Sequence, residues 1–416
     1  MYNIVIYLYL TGVAIASLFS EKVKKMWRGE RQTIKLLREK VDPDAKYVWF
    51  HAASLGEFEQ GRPLMERLRQ THPEYKILLT FFSPSGYEVR KDYKGADIVC
   101  YLPLDTIRNS RRFLRAVRPV MAFFIKYEFW YNYFHILQHR GVPIYSVSSI
   151  FRKDQVFFRW YGKQYGKVLS CVTRFFVQNE ESSRLLRTIG IDASEVVGDT
   201  RFDRVLQIRD AAKPLPIVDA FRKGRTDGGD GPEHKVFVAG SSWGPDEDIF
   251  IRYFNEHPEW RLIIAPHVIS EDHLKQILSK LNRKTVRCYT QTTPEEAATA
   301  ECLIIDCFGL LSSVYNYGDV AYVGGGFGVG IHNVLEAAVW SMPVFFGPNN
   351  AHFQEAQWLK ASQGGIEISS YDDFAAMMNR FIADPKLIEE RGKAAAEVVD
   401  KHTGATEAIL KAVGLK

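Results

Sequence analysis

Cysteine is scarce in this chain, and its placement argues against two classes of protein. The five cysteines (Cys100, Cys171, Cys288, Cys302 and Cys307) are scattered, and no two of them have C-x-x-C spacing. An odd and scattered set speaks against both a disulfide framework and a structural zinc site. We therefore expect a protein of a reducing cytoplasm, with Cys302 and Cys307 as core residues.

The sequence also lacks a large excess of positive or negative charge, a set of residues spaced as metal ligands, and the familiar catalytic motifs. The formal net charge is only +5 over 416 residues, so the composition does not predict a nucleic-acid partner. No cluster of His, Asp and Glu has the spacing of metal ligands, and no G-x-S-x-G motif is present. We expect neither a metal nor a cofactor, and metal-independent group transfer fits what remains.

A charge-free run opens the chain. Residues 2–19 carry no charge, and a basic stretch with Trp27 follows them. The run is just long enough to span a bilayer, and charges on its carboxyl side predict that the rest of the protein is cytoplasmic. We predict a single membrane anchor at 1–20 in the inner (plasma) membrane, either spanning or lying in it. A cleaved signal peptide and a buried helix are the alternatives.

Short apolar runs alternate with helical patterns through the rest of the chain. In the first half, strands are predicted at 47–51, 76–80, 96–100, 120–125, 143–147 and 174–178, with a helix at 107–117 among those between them. The second half repeats the rhythm at 236–240, 261–265, 285–288, 302–305, 320–323, 344–346 and 365–368. This alternation is typical of parallel sheets covered by helices.

The pattern predicts an α/β protein of two Rossmann-like domains that face each other across a cleft. The first domain is assigned to 21–210 and the second to 235–390, joined by a linker at 211–234 that is rich in proline, glycine and charge. The remaining segment, 391–416, is predicted to be helical, with packing against the first domain as one option.

A glycine loop at 324–330 is the most informative stretch. Five glycines in seven residues follow a predicted strand, and 331–341 has the pattern of about three helical turns. Backbone N–H groups in such a loop and at a helix N-terminus favour an anion. Neither glycine frame fits G-x-G-x-x-G, so a nucleotide sugar is favoured over a nicotinamide dinucleotide. An ordinary glycine-rich turn is the alternative.

Polar side chains extend this predicted site. Asn333 and Glu336 are three residues apart, so a helix would place them on one face, within reach of sugar hydroxyls beside the anion. A strand that ends at residue 240 is followed directly by two serines whose N–H groups are suited to an anion. The further candidates are Ser241, Ser242, Arg201 and His267, each of which also fits a purely structural role.

Glu57 is the sharpest candidate for a general base, because it follows the carboxyl end of the first predicted strand, where ligands bind in such sheets. Ser54, three residues earlier, predicts instead a capping box in which Glu57 bonds back to the Ser54 backbone. Glu128, Trp130 and Asn132 follow another strand and are predicted at the rim of the cleft. Core packing and a helix-start carboxylate are the alternatives for these three residues.

Four arginines lie on much of one face of the predicted helix 107–117. They are Arg108, Arg111, Arg112 and Arg115. A solvated helix face is one interpretation, and contact with phosphate or anionic lipid is the other.

Taken in order, these segments resemble the 3-deoxy-D-manno-octulosonic acid (Kdo) transferases of lipopolysaccharide assembly. The resemblance rests on the apolar amino terminus and on HAASLGE at 51–57, EFWYN at 128–132, GDTRFD at 198–203, and HNVLE at 332–336 with Gly347-Pro348. It spans nearly the whole chain. It implies a GT-B fold, CMP-Kdo as donor, the lipid A precursor as acceptor, transfer with inversion, and contact with inner-membrane lipids.

The resemblance also implies roles for individual residues, with Glu57 as the base that deprotonates a glucosamine hydroxyl of the acceptor. The implied CMP-binding residues are Ser241, Ser242, Gly324, Gly325, Gly326, Gly328, Gly330, His332, Asn333, Glu336, Arg201 and His267. On the acceptor side they are Ser54, Gly56, Glu128, Trp130 and Asn132. The chain departs from the family pattern at Lys126, Ile331, Val334, Ala337 and Pro266-His267, which leaves the roles of Lys126 and His267 open.

Two other function classes fit the same sequence. One is another GT-B enzyme that uses a UDP-sugar, either a transferase or an epimerase. The other is a non-catalytic, membrane-tethered protein that binds a nucleotide sugar. Thermal protection by UDP rather than by CMP would indicate an enzyme of the first class instead of a Kdo transferase. A protein of the second class would bind its ligand without turnover.

Overall fold

The computed structural model describes residues 2–226, 229–230 and 234–415, and the chain divides into two units. One unit contains the residues up to Arg204 together with those from Thr403 onward, and the other runs from Val205 to His402. Each unit is built around its own parallel sheet. The predicted α/β class is confirmed.

In the described chain, seven strands form the sheet of the first unit in the order β3-β2-β1-β4-β5-β6-β7, and all neighbours are parallel. The strands are β1 (Lys46–Ala52), β2 (Tyr75–Phe81), β3 (Ile98–Tyr101), β4 (Met121–Ile125), β5 (Ile144–Ser149), β6 (Arg174–Val177) and β7 (Ser194–Val196). β1 and β4 lie side by side at the centre. Parallel alignment places the carboxyl ends of all seven at one edge.

The central strand β1 is buried on both faces, which explains its almost unbroken apolar sequence. Because side chains alternate across a strand, Trp49 packs on one face against Phe113 and Phe124, and Phe50 stacks on Phe123 on the other. Each fully buried aromatic side chain stabilises the fold by about 2–3 kcal/mol. The core is therefore continuous through both faces of the sheet.

Helices cover both faces of this sheet. They are α1 (Tyr2–Ala16), α2 (Glu21–Lys40), α3 (Leu55–Thr71), α4 (Pro84–Arg90), α5 (Ile107–Val117), α6 (Tyr131–His139), α7 (Lys163–Leu169), α8 (Glu180–Thr188) and α9 (Thr200–Asp210). The prediction of a helix at 107–117 matches α5. Its start is fixed by Thr106, whose hydroxyl accepts the Asn109 N–H at 3.2 Å.

The sheet of the second unit has the order β12-β13-β11-β10-β14-β15-β16 in the described chain, again all parallel. A separate two-stranded ladder joins β8 (Arg225–Thr226) to β9 (Gly229–Asp230). The sheet strands are β10 (Lys235–Ser242), β11 (Trp260–Pro266), β12 (Val286–Cys288), β13 (Cys302–Ile304), β14 (Val320–Val323), β15 (Val344–Phe346) and β16 (Gly365–Glu367).

The helices of the second unit begin within the predicted linker, where Val218 and Phe221 of α10 are fully buried. They are α10 (Pro216–Lys223), α11 (Gly244–Glu256), α12 (Glu271–Lys280), α13 (Pro294–Ala298), α14 (Leu311–Val314), α15 (Leu335–Ala338), α16 (Gln354–Ala361), α17 (Tyr371–Ala383) and α18 (Lys386–Lys401).

The last helix, α19 (Ala405–Ala412), belongs to the first unit. Asp203 accepts the N–H groups of Gly404 and Thr406 at 2.6 and 2.7 Å, which satisfies donors at the start of α19. Arg67 of α3 pairs with Glu407 at 2.7 Å. These contacts hold the carboxyl-terminal segment against α3 and α9.

The predicted three-turn helix at 331–341 is wrong, because α15 covers only Leu335–Ala338. The Asn333 side chain accepts the Leu335 N–H at 3.3 Å, so the helix starts there, and the His332 N–H is used by the Gly324 carbonyl. Ser341 has φ of +58°, which ends any continuation. His332 therefore lies in a loop and not at a helix N-terminus.

The predicted anchor forms α1, which packs one side on the first unit. The Tyr2 hydroxyl donates to Asp105 at 2.8 Å, and the Asn132 side chain donates to that of Asn3 at 2.9 Å. The other side exposes Ile4 and Leu8, each 68% exposed. Among the described residues, no helix combines the length and the apolar character that crossing a membrane requires.

A buried carboxylate lies beneath this region, on α2. Glu30 accepts the Leu104 N–H at 3.1 Å through one oxygen, while its other oxygen has no partner in the described chain. Burial raises the pKa of Glu30 to about 8, and the Leu104 hydrogen bond offsets only part of that increase. The neutral acid is therefore the form that this fold favours.

We predict that Glu30→Gln stabilises the protein increasingly as pH rises from 5 to 8. The pKa of Glu30 is higher in the folded than in the unfolded protein, so protonation of Glu30 stabilises the fold. This stabilisation is complete below the unfolded pKa of about 4.5 and is lost as the pH rises through the folded pKa of about 8. The gain approaches ~4 kcal/mol at pH 8, or about 5 °C or more in Tm. Thermal unfolding of wild type, Glu30→Gln and the exposed control Glu39→Gln at both pH values tests this. An equal Tm difference at the two pH values would contradict it.

Candidate active site

Glu57 lies just beyond the carboxyl end of β1, in the first turn of α3. Its carboxylate accepts the Ala53 N–H at 2.5 Å, while the Ser54 side chain makes no capping hydrogen bond. The predicted capping box between Ser54 and Glu57 is therefore wrong, because Glu57 reaches past the cap residue to the one before it. Gly56 is exposed beside them, with open space where a Cβ would lie.

The surroundings of Glu57 raise its pKa above the usual range for a carboxyl group. Burial is the largest cause, and the nearby carboxylate of Glu128 adds to it. The Ala53 N–H, His51 and Lys126 act in the opposite direction. A carboxylate made more basic in this way is suited to accept a proton from a hydroxyl group.

His51, at the end of β1, is fully buried and has a defined tautomer. Its Nδ1 lies 2.8 Å from the Thr80 hydroxyl and 3.2 Å from the Thr80 carbonyl. A carbonyl only accepts, and the Thr80 hydroxyl already donates to the Phe50 carbonyl. The proton therefore belongs on Nδ1, which leaves Nε2 directed towards the site.

Glu128 and Trp130 complete this cluster from the segment after β4. His51 Nε2 lies 3.3 Å from Glu128 Oε2, and the Trp130 indole N–H donates to Glu128 at 3.0 Å and to His51 at 3.3 Å. The Trp130 N–H thus bridges two acceptors, His51 Nε2 and the Glu128 carboxylate. Both predicted residues, Glu128 and Trp130, thus lie near Glu57.

Asn132 has a different environment. It is buried, its side chain donates to the Asp105 carbonyl at 2.6 Å, and its backbone N–H donates to the Asp105 carboxylate at 2.8 Å. Asp105 also accepts from Ser110 and Tyr2. Asn132 therefore joins α1, α5 and α6 rather than presenting its amide to a ligand.

Arg201 lies in the first unit, whereas the other predicted donor residues lie in the second. Its guanidinium group binds Asp199 at 2.8 Å, and Asp199 also accepts from Gln60 of α3 at 3.0 Å. This buried carboxylate thus connects the start of α9 to α3. The four predicted arginines of α5 are all exposed.

In the second unit, Asp246 joins the segments that follow β10 and β14. This buried carboxylate accepts the Trp243 N–H at 2.9 Å, the Tyr322 hydroxyl at 2.7 Å and the Gly325 N–H at 3.0 Å. The start of α11 and the glycine loop are therefore fixed by one side chain. Asp246 was not identified from the sequence. The feature that could have revealed it is its position four residues after Ser242, in the first turn of a helix that follows a strand.

The glycines of the loop are required mainly by close contacts within the protein. A Cβ on Gly324 would lie 2.3 Å from the Ser241 carbonyl, and one on Gly326 would lie 2.6 Å from the Gly347 backbone. Gly325 and Gly330 have φ of +95° and +144°, values that favour glycine. Gly328 has only an ordinary contact, at 3.5 Å.

Three rings form a stack beside the glycine loop. Trp243 stacks on His267 with ring centres 4.7 Å apart, and His267 stacks on His332 at 4.3 Å. The Trp243 indole N–H donates to His332 Nε2 at 3.1 Å. Burial lowers the pKa of His267, and burial followed by His267 lowers the pKa of His332. Both imidazoles are thus favoured in the neutral form.

These rings follow β11, β10 and β14, which are neighbours in the sheet. The stack of three rings therefore lies at the carboxyl edge of the sheet, where ligands bind in open α/β sheets. Sequence reasoning identified the two histidines but missed Trp243, although it stands directly after the two singled-out serines. Trp243 is 39% exposed.

Asn333 and Glu336 are brought together although no helix spans them. The Asn333 amide donates to Glu336 at 3.1 Å, and the Ser312 hydroxyl donates to the other Glu336 oxygen at 2.6 Å. Ser312 was not identified from the sequence, because it belongs to α14, a separate segment. The pair presents an amide and a carboxylate side by side.

The two predicted serines differ from each other. Ser242 is buried and donates to Glu247 at 2.9 Å, and Glu247 in turn contacts His273 at 3.0 Å. Ser241 lies at a bulge in β10 with φ of +51° and is partly exposed. Of the two serines, Ser241 is therefore the one whose side chain reaches the surface at this edge.

Comparison with known proteins extends these observations. Residues 25–204 match the model of the 3-deoxy-D-manno-octulosonic-acid transferase (kdotransferase) family. A 3-deoxy-D-manno-octulosonic acid transferase of Haemophilus influenzae is 26% identical over 88% of this chain and 86% of its own length. One of Aquifex aeolicus is 24% identical over 83% of this chain and 89% of its own. The chain is thus similar to Kdo transferases over most of its length. The resemblance read from the sequence is confirmed.

Solved structures show a likeness in fold as well. A UDP-GlcNAc 2-epimerase from Neisseria meningitidis aligns with a TM-score of 0.61 over 89% of this chain and 100% of that chain, at 13% identity. At that identity the similarity concerns the fold alone. The predicted GT-B class, with two Rossmann-like domains, is confirmed.

We predict that Glu128→Gln lowers the pKa of Glu57, since it removes the negative charge that helps to raise it. The Glu57 carboxyl titration, followed by NMR in protein with 13C-labelled glutamate, should move to lower pH. Glu74→Gln, which changes an exposed glutamate after α3, serves as the matched control and should leave the titration unchanged. An unchanged Glu57 titration in Glu128→Gln would contradict the coupling.

Proposed function

We propose that this protein transfers Kdo from CMP-Kdo to a lipid A precursor, with inversion at the anomeric carbon, in lipopolysaccharide biosynthesis. The observation that carries the proposal is Glu57, a partly buried carboxylate with a raised pKa at the carboxyl edge of the first sheet. The similarity to Kdo transferases supplies the sugar and the reaction class. The acceptor and the inverting course are carried over from the same resemblance, and Glu57 supplies the base that such a displacement requires.

In the proposed reaction, Glu57 takes the proton of an acceptor hydroxyl as that oxygen attacks the anomeric carbon of Kdo. The bond from this carbon to the phosphate oxygen of CMP breaks, and CMP leaves with the bonding electrons. A single displacement of this kind inverts the configuration. Glu128 acts by raising the pKa of Glu57, and His51 contacts the Glu128 carboxylate at 3.3 Å.

For the donor, we propose that the second unit binds CMP at the carboxyl edge of its sheet. The ring stack of Trp243, His267 and His332 is suited to lie against the donor, and the amide and carboxylate of Asn333 and Glu336 are suited to ribose hydroxyls. Gly324, Gly325, Gly328 and Gly330 donate their N–H groups within the protein, so we assign stabilisation of the leaving phosphate to the remaining backbone N–H groups of the glycine loop. In thermal shift, CMP should protect the protein more than UDP does.

We propose that the reaction needs no metal, because a carboxylate base and backbone donors supply the proton transfer and the charge stabilisation. Activity should therefore persist in EDTA. Loss of activity in EDTA that added Mg²⁺ restores would contradict this part of the proposal.

We also propose that α1 holds the protein at the cytoplasmic face of the inner membrane by lying in the interface. Ile4, Leu8 and Ile15 form an exposed apolar side of α1, and Leu18 and Phe19 just beyond it are 78% and 85% exposed. The basic helix α2 follows at once. An apolar side with an adjacent basic segment is typical of interfacial anchors.

We predict that Glu57→Gln lowers kcat for Kdo transfer about 10²–10⁴-fold, because an amide accepts the Ala53 N–H but does not take up a proton. CMP release and formation of the Kdo-bearing lipid are followed together. CMP-dependent thermal protection should persist, which separates lost catalysis from lost folding. Glu74→Gln is the control. Wild-type turnover by folded Glu57→Gln would rule out Glu57 as the base.

We predict that Leu8→Asp with Ile15→Asp reduces binding to lipid vesicles at least tenfold, since two charges would enter the apolar interface. Flotation of the full chain with phosphatidylcholine and phosphatidylglycerol vesicles measures this. Val89→Asp changes another exposed apolar residue, on α4, and should bind like wild type. Unchanged flotation of the α1 variant would contradict the anchor.

A further inference from the structure

Three arginines surround a pocket at the other edge of the first sheet. Arg115, Arg118 and Arg140 line a cavity of about 420 Å³ together with the apolar side chains of Pro119, Leu137 and Val142. Pro119 and Val142 stand just before β4 and β5, so the pocket lies at the amino ends of these strands. Glu57 lies at the carboxyl edge of the same sheet. This pocket is therefore separate from the proposed base.

The positive charge of this pocket is not neutralised by the described protein. None of the three guanidinium groups has a carboxylate within 4.0 Å among the described residues. Burial lowers the pKa of Arg140, and the charges of Arg115 and Arg118 lower it further. Three like charges thus repel one another around one cavity, a cost that a bound anion would remove.

A purely structural role explains only part of this arrangement. All three arginines lie near the carboxyl ends of α5 and α6, where cations are favourable. Arg140 fulfils such a role, since it donates to the Leu114 carbonyl at 2.8 Å. The side chains of Arg115 and Arg118 have no hydrogen-bond partner among the described residues. Their charges therefore exceed what the helix ends require.

The backbone conformation of Arg118 is a second observation that favours a bound ligand. This residue ends α5 with φ of +49° and ψ of +58°, the left-handed conformation that helix ends usually assign to glycine or asparagine. An arginine at this position is strained without gaining an ion pair in the described chain. A ligand that binds its guanidinium group would compensate for the strain.

We propose that Arg115, Arg118 and Arg140 form a binding site for a phosphate group, distinct from the donor and base sites. Guanidinium groups match the geometry of phosphate oxygens, and three of them suit a doubly charged phosphate. The apolar wall of Pro119, Leu137 and Val142 accommodates the organic part of a phosphate ester. The ligand class is therefore a phosphate ester, supplied either by a soluble metabolite or by an anionic lipid headgroup.

Binding to the full-length protein tests the proposal in two arms. The first measures thermal protection by inorganic phosphate and by glycerol 3-phosphate, against sodium chloride at equal ionic strength. The second measures flotation with vesicles of phosphatidylglycerol, against vesicles of phosphatidylcholine. The test variant is Arg115→Gln with Arg118→Gln, which spares the Arg140 hydrogen bond to Leu114. The charge-matched control is Arg111→Gln with Arg112→Gln, two exposed arginines of α5 that do not line the pocket.

We expect the test variant to bind at least tenfold more weakly than wild type in one arm or both, while the control variant binds like wild type. Weakening in the phosphate arm identifies a soluble phosphate ester, and weakening with phosphatidylglycerol alone identifies a lipid headgroup. Equal binding by wild type and the test variant in both arms would overturn the proposal. Equal weakening by the test and control variants would also overturn it, because only the net charge of α5 would then matter. Circular dichroism verifies that both variants fold.

Discussion

Parallel pairing of the strands decides where the functional residues of each unit lie. All seven described strands of each main sheet point the same way, so the segments after their carboxyl ends meet at one edge. That is why residues far apart in sequence, such as His51 and Glu128, come within 3.3 Å. The same geometry brings Trp243, His267 and His332 into one stack in the second unit.

Buried polar groups position the functional side chains at this edge and set their pKa values. In the first unit, the Thr80 carbonyl and hydroxyl set the tautomer of His51, and His51 then meets Glu128, whose charge raises the pKa of Glu57. In the second unit, the carboxylate of Asp246 fixes the glycine loop to the start of α11. Low-dielectric surroundings strengthen these interactions, and they also make the loss of any one partner costly.

The sequence predicted what depends on local pattern. The helix at 107–117 follows from its periodicity, and it is present as α5. Contacts between residues that are distant in the sequence could not be predicted from local pattern. The pattern of 331–341 is helical, yet the Gly324 carbonyl takes the His332 N–H and Asn333 caps Leu335, so only one turn forms. Likewise, Glu57 bonds to Ala53 where the motif predicted Ser54.

The candidate site was predictable in part for the same reason. Glu57, His267, His332, Asn333 and Glu336 stand in motifs that mark strand ends, whereas Trp243, Asp246 and Ser312 are recognised only by the contacts they make. Gly324 and Gly326 are explained by chain packing against the Ser241 and Gly347 backbones, and Gly325 and Gly330 by their positive φ. A glycine-rich pattern alone therefore does not distinguish a ligand loop from a tightly packed turn.

The most direct measurement is the mass of the lipid product when purified protein is given CMP-Kdo and a lipid A precursor. We predict that the lipid gains the mass of one or more Kdo residues while CMP is released in equal amount. Release of CMP without a gain in lipid mass, or turnover of a UDP-sugar in place of CMP-Kdo, would contradict it.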